Sequence, residues 1–252
     1  MTSATDLAVM AQYLGPMGSE TAVETRDLVI VGAGRFAPEG IWVAEDMNAA
    51  SIGAGKRPLW KIHGFVVFDP AGFPETLYSY PVLGTAAQAA AAFQRRQVSF
   101  ICMIGDNKIR EQQAREAENV GWTPVTLVHP SAVIARETVI APGCYIGAGA
   151  IVSPFARLGA HVVINHHVSV GHESVMEDFS QACPGVRISG KCIVGKSALL
   201  GSNATLLPGC KVGNAGVVGA GSVVLRSVPA SKTVVGVPAK ILDGSKNQEH
   251  TN

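Results

Sequence analysis

From Val128 onward an apolar residue recurs every six positions: Val128, Ile134, Ile140, Ile146, Val152, Leu158, Ile164, Val170, Met176, Ala182, Ile188, Val194, Leu200, Leu206, Val212, Val218 and Val224. Four residues after each stands a small or β-branched one, from Ala132, Thr138 and Cys144 through Cys210, Gly216, Ser222 and Val228. A period of six is neither the 3.6 of a helix nor the 2 of one long strand. It predicts a parallel β-helix, in which each hexapeptide gives one short strand and three make a coil of a triangular prism. The apolar residue fills the axis and the small one fits the corner. Glycine often follows the apolar residue (Gly147, Gly159, Gly171, Gly195, Gly201, Gly213, Gly219), where a sharp turn asks for relaxed backbone sterics.

Ahead of the repeat, apolar runs alternate with helical stretches. Leu28 to Val31 reads as a strand ending in Gly32-Ala33-Gly34-Arg35-Phe36-Ala37-Pro38, and Pro38 suits the first turn of a helix running to about Ala50. Ile62 to Phe68 and Val98 to Ile104 read as strands, and Ala86 to Arg95 as an Ala-rich helix. Asp106 caps a polar helix reaching about Asn119, and Val125 to Val128 closes the series as a last strand. Such alternation predicts a small parallel α/β sheet. The expected organisation is an extension over 1–26 with no assigned role, an α/β Rossmann-like domain over 27–127, an all-β prism over 128–242 and a tail over 243–252. Within the extension, only Asp6 to Leu14 suggests a short helix.

Composition narrows the partners. Hydrophobic residues make up 47% of the 252 positions and charged ones 15%, which excludes a disordered chain. Lys+Arg 20 against Asp+Glu 19 leaves a net charge of +1, so neither nucleic acid nor an anionic membrane is held through bulk charge. No apolar run approaches the ~18 residues of a membrane span. The stretch before Arg26 has no Lys or Arg and no long apolar core, so no secretory signal is expected. The five cysteines form no CxxC pair, which favours reduced thiols in a cytoplasmic protein. Cys144, Cys192 and Cys210 fall on the small corner position; Cys183 does not.

Four of the seven histidines lie close together: His161, His166, His167 and His172. His172 follows the inward Val170 by two, which puts it in the turn half of its hexapeptide, facing out, with Glu173 beside it. An imidazole with a neighbouring carboxylate fits a general base, and a solvated turn histidine is the bland alternative. His167 and His172 have a spacing that would suit a metal, but the third ligand expected near Ser131 is not histidine, so no metal is expected. Gly32-x-Gly34-x-x-Ala37 has the form of a nucleotide-binding loop without its third glycine. It fits a diphosphate at a helix N-terminus better than NAD.

Together, Val31-Gly32-Ala33-Gly34, then Ile104-Gly105-Asp106-Asn107-Lys108-Ile109-Arg110, then a hexapeptide prism carrying Asn165 and Gly171-His172-Glu173-Ser174-Val175-Met176-Glu177-Asp178-Phe179, resemble the bacterial sugar O/N-acyltransferases. These include nucleotide-linked amino-sugar N-acetyltransferases and sialic acid O-acetyltransferases. Val235-Gly236-Val237-Pro238-Ala239-Lys240 is similar to the close of such prisms. The resemblance, over about residues 27 to 242, implies a left-handed β-helix. It also implies a homotrimer with active sites between neighbouring prisms, acetyl-CoA as co-substrate and a small-molecule sugar acceptor. It implies His172 as the base, Glu173 as its support and the Gly190 N–H, one coil on, as the donor to the thioester carbonyl. On the acceptor side it implies Gly32, Gly34, Arg35, Asp106, Asn107, Arg110, Asn165 and Gln181. Along CoA it implies Gly190, Ser202, Gly219, Pro238 and Lys240.

Two departures stand out. Gln181 occupies a position where many members of the family have histidine. The acidic pair expected after Gly64-Phe65-Val66 is replaced by Val67-Phe68, leaving Asp69. That points to a different nucleotide, or to an acceptor with none. The expected reaction is N-acetylation of a nucleotide-linked amino sugar from acetyl-CoA. O-acetylation of a sugar of sialic acid type, or a non-catalytic prism used for assembly or sensing, stays open.

Overall fold

The computed structural model describes residues 24–93 and 96–242. The helix suggested over Asp6 to Leu14 and the tail 243–252 lie outside the described residues. The first half is built from β1 (Arg26–Val31), α1 (Ala37–Gly53), β2 (Trp60–Val66), a short hairpin of β3 (Thr76–Leu77) and β4 (Tyr80–Pro81), α2 (Ala86–Phe93), β5 (Val98–Cys102), α3 (Asn107–Asn119) and β6 (Thr123–Pro124). The strands form one parallel sheet in the order β2-β1-β5-β6. One face of β1 (Leu28, Ile30) packs on Val43, Ala44 and Met47 of α1. The other (Val29, Val31), with Phe100 of β5, packs on Ala114 and Ala117 of α3. Pro38 stands in the first turn of α1, and the Asp106 carboxylate caps α3 by accepting from the Lys108 and Ile109 N–H groups at 2.9 Å.

In place of the one strand expected over Val125 to Val128 there are two short ones, the first lying just ahead of Val125. Thr123–Pro124 pairs with β5, whereas Leu127–Val128 pairs with Tyr145–Ile146 as the first rung of the prism. Val128 is eighteen residues before Ile146, so the coil repeat claims it from the sheet. The α/β domain passes into the prism with no linker.

The prism is a left-handed parallel β-helix with three flat faces, in which each two-residue strand pairs with the one eighteen residues on. The first face runs from Leu127–Val128, the second from Val133–Ile134 and the third from Val139–Ile140. The period-six residues line its axis as one continuous core, with the buried corner residues beside them. Three edges join the faces, named here for the Asn165, His172 and Phe179 turns they carry. The last coil is shorter: Val218 pairs with Val234, sixteen residues on, and an antiparallel strand, Lys240–Ile241, closes the first face.

Glycine has a different role from the one expected. The left-handed backbone at each corner falls two residues later, mostly on other residue types: Phe155, His161, His167, Glu173, Phe179, Lys191, Ser197, Asn203 and Ala215, with φ of 53–63°. The glycines after the axial residues are needed instead because coils stack closely. A Cβ on Gly171 would stand 2.5 Å from the Ser189 carbonyl carbon and 2.6 Å from the Gly190 nitrogen.

Candidate active site

The clustered histidines are dispersed over all three edges. His161 lies on the Phe179 edge, His166 and His167 on the Asn165 edge, and His172 on its own. His167 and His172 therefore do not converge. Among the described residues no three His, Cys, Asp or Glu side chains gather as a metal site.

On the His172 edge, Gly171 O accepts from Ser174 N at 3.3 Å, and Glu173 between them has φ 57°. That is a turn with a left-handed third residue, which throws the second, His172, outward. Its side chain is 59% exposed, with Nδ1 3.1 Å from Glu173 Oε1, and Glu173 Oε2 lies 3.8 Å from Lys191 Nζ. A carboxylate on Nδ1 keeps the proton there and leaves Nε2 with its lone pair facing out. Gly190, one coil on, lies under that nitrogen: a Cβ there would collide with His172 Nε2. The amides on either side of Gly190 are used, Ser189 N on Leu206 O and Lys191 N on His172 O. The Gly190 N–H itself has no acceptor among the described residues. An outward imidazole and a free backbone donor thus share one solvent-facing edge.

A cleft of about 370 Å³ opens at the C-terminal ends of β1, β2 and β5. Its floor is the Gly32–Phe36 loop, one wall is the segment after β2, and the other is Met103 to Gly105. This is where the strand order reverses, the usual ligand crevice of an open parallel sheet. Gly32 has φ 105°, and a Cβ on it would meet Ile104 Cγ1 at 2.7 Å, so only glycine fits. Gly34 has open space above it. Ala37 N closes on Gly34 O, while the Gly34, Arg35 and Phe36 N–H groups have no acceptor among the described residues. With Arg35 exposed at the rim, the loop has the make-up of an anion site.

Four residues expected to face the acceptor are engaged elsewhere. Arg110 is 1% exposed; its guanidinium donates to Ile104 O (2.9 Å), Phe179 O (2.7 Å) and Gln181 Oε1 (3.0 Å). It joins the α/β domain to the prism instead of meeting solvent or phosphate, and burial lowers its pKa to about 10. Gln181 is its partner, which explains an uncharged amide there: a protonated imidazole would face the guanidinium. Asn107 Nδ2 reaches the prism carbonyls of Ser197 and Ala198, and the Asp106 carboxylate is used as the helix cap. Position gave a signal for Arg110, because it falls on the buried stripe of α3 with Gln113, Ala114 and Ala117.

The junction also holds contacts the sequence left unread. His166 Nε2 lies 2.8 Å from Glu39 Oε2 of α1, and His129 Nε2 lies 3.0 Å from Asp46 Oδ2, with Trp42 packed edge-on against both rings. On the Phe179 edge, Lys196 pairs with Glu111, and His161 stacks on Phe179 with Nε2 3.3 Å from Glu118 Oε1. Asn165 is buried at this junction, its Oδ1 accepting from His166 N at 2.7 Å. Ser202 and Gly219 follow on the Asn165 edge, and exposed Pro238 and Lys240 lie in the closing turn and strand. Gly190 is on a different edge, so one chain does not gather these five into a single patch. Cys144, Cys192 and Cys210 fill buried corners, and burial pushes the Cys144 thiol up to about 12. Cys183 is half-buried with its thiol raised too, which leaves no activated thiolate at the prism corners.

Residues 27–117 match the PglD N-terminal domain family. A mutant of perosamine N-acetyltransferase from Caulobacter crescentus, solved with CoA and GDP-perosamine, superposes with a TM-score of 0.76 at 28% identity, covering 88% of this chain and 100% of that one. The acetyltransferase domain of PglB from Neisseria gonorrhoeae superposes at 0.71 with 27% identity, covering 86% and 100%. A putative lipopolysaccharide biosynthesis O-acetyl transferase, WbbJ of Escherichia coli, is 34% identical over 114 residues, 44% of this chain and 50% of that protein. A serine acetyltransferase from Buchnera aphidicola is 32% identical over 49% of this chain and 40% of that protein. The chain thus spans half or less of the length of these curated relatives. With a domain that matches the PglD N-terminal family over residues 27–117 and a prism that superposes with a perosamine N-acetyltransferase, the chain is similar to the bacterial sugar acyltransferases.

Proposed function

We propose that the chain transfers acetyl from acetyl-CoA to the amino group of a nucleotide-linked amino sugar, with His172 as general base. The observation that carries this reading is the pairing of an outward His172–Glu173 dyad with the free Gly190 N–H on one edge. The amine nitrogen attacks the thioester carbonyl and gives up its proton to His172 Nε2. The Gly190 N–H donates to the carbonyl oxygen as negative charge develops there, the carbon–sulfur bond breaks, and the CoA thiolate takes the proton from the His172 imidazolium, which restores the neutral base. Glu173 steadies the imidazolium. No covalent bond to the protein is formed. The Gly32–Phe36 cleft takes the nucleotide end of the acceptor, with Arg35 at its phosphates. Ser202, Gly219, Pro238 and Lys240 belong to the CoA path, and Asn165 to the acceptor path.

The site is completed by a neighbouring copy. Val133 (62% exposed), Val139 (53%), Ile151 and Phe155 (60%) put an apolar patch on the second and third faces and the edge between them. Such a patch marks an interface, and a homotrimer that buries it brings a second prism to the His172 edge. Two such prisms would bring the Asn165 and His172 edges together, which one chain alone does not do. No described helix is long and apolar enough to cross a membrane; with five free cysteines, a reducing cytoplasm is the proposed location.

A second reading, transfer to a sugar hydroxyl, is supported by the likeness to the putative O-acetyl transferase. The test is CoA thiol release from acetyl-CoA with UDP-, dTDP- and GDP-linked amino sugars and a free sialic acid as acceptors. Turnover on a nucleotide amino sugar supports N-acetylation. Turnover on the hydroxyl acceptor alone moves the reading to O-acetylation. No turnover on any acceptor contradicts both.

A further inference from the structure

The outer half of the cleft is built from what stands in place of the acidic pair. Phe68 is 66% exposed and Phe73 is 41% exposed, both lining the cleft with Asp69 between them in sequence. Large aromatic side chains left in water beside an anion cradle offer faces on which a nucleobase stacks. Among the described residues, Arg35 and Asp69 are the only charged ones in the lining. With Arg35 taken by the phosphates of a nucleotide, its base would have one carboxylate to meet, Asp69. Asp69 Oδ1 accepts from Ala71 N at 2.9 Å, which fixes the group in a turn and leaves Oδ2 with no partner among the described residues.

An ionised carboxylate only accepts hydrogen bonds. Guanine alone presents two adjacent donors on its pairing edge, N1–H and N2–H. Uracil and thymine offer a single N3–H flanked by two carbonyl oxygens, which a carboxylate repels. Adenine and cytosine set one amino group beside an acceptor nitrogen. We infer that Asp69 reads a guanine base, stacked on Phe68 and Phe73, and so that the acceptor is a guanosine-diphosphate-linked sugar. This rests on the reading of the cleft as the nucleotide site.

The test is calorimetric titration of the full chain with GDP, inosine diphosphate, UDP and dTDP, repeated on Asp69→Asn. Asparagine keeps the acceptor that closes the turn but replaces the second carboxylate oxygen with a donor. The expected result is GDP binding at least about tenfold tighter than UDP or dTDP, with inosine diphosphate, which lacks the 2-amino group, about tenfold weaker than GDP. Asp69→Asn should cost GDP on the order of 10–100-fold and leave UDP unchanged. UDP or dTDP binding as well as GDP would overturn the guanine assignment and leave the nucleotide-sugar reading standing. Asp69→Asn weakening every nucleotide alike would overturn the role of Asp69 in reading the base edge. No binding of any nucleotide would overturn both this inference and the nucleotide reading beneath it.

Discussion

The His172 and Phe179 edges of the prism are made from the same turn, repeated every eighteen residues, yet they meet opposite fates. On the Phe179 edge, α3 lies against the prism: His161 is stacked and buried, Lys196 is paired, and Arg110 and Asn107 take up backbone carbonyls. On the His172 edge the imidazole stands exposed over Gly190, its neighbouring carboxylate the one side-chain partner among the described residues. The same local geometry therefore yields a buried, stacked histidine or an exposed one, and what covers the edge decides which. A histidine–carboxylate pair is no sign of catalysis by itself; of the four others among the described residues, His161–Glu118, His166–Glu39 and His129–Asp46 hold the two domains together and His63–Asp27 lies within the α/β domain.

That contrast breaks most sharply at Gly190. Gly190→Ala places a methyl group against His172 Nε2 and pushes the ring from its seat. Turnover should fall on the order of 10²–10³. Thermal stability should stay near wild type, because an exposed ring swings away cheaply. A matching loss in both would make Gly190 a folding residue.

Arg110 sharpens the covered side. Arg110→Met leaves the Ile104 and Phe179 carbonyls and Gln181 Oε1 without their donor. Urea unfolding should show a loss of about 1–3 kcal/mol, with a raised acceptor KM because Ile104 also lines the cleft. An unchanged midpoint would show that the junction does not depend on this strut.

His161 carries the smallest effect, visible as a slope. Burial holds its pKa below the ordinary 6.5 against the opposing pull of Glu118. The unfolded chain then takes up a proton that the folded chain refuses, so stability declines as pH falls below about 6.5 and is unaffected above it. His161→Gln should flatten that decline between pH 6.5 and 5. An equal slope in the variant would assign the acid sensitivity to other groups.

The prism was legible because its signal is redundant: an axial residue every six positions from Val128 to Val224 leaves no other regular structure that buries them all. His172 could be read for the same reason, since the register fixes which way it points. The Asp106 cap was legible, because its partners are two and three residues on; the partners of Arg110, Asn107 and Gln181 were not. A short motif names donors and acceptors but not the partner that claims them, and here the partners lie about 70–90 residues away. The left-handed corners are not legible either, because glycine in the repeat signals conformational freedom where the structure uses its small size. The strand break between Thr123–Pro124 and Leu127–Val128 followed from the coil repeat extending back to Val128, whose pairing the apolar run alone did not reveal.

The most direct test of the account compares acetyl transfer and melting temperature in wild type and His172→Ala. The account predicts a fall in rate on the order of 10²–10⁴ with the melting temperature unchanged, because the ring touches nothing that holds the fold. Retained turnover, or a fall in melting temperature that matches the fall in rate, would contradict the claim that the open edge is the catalytic one.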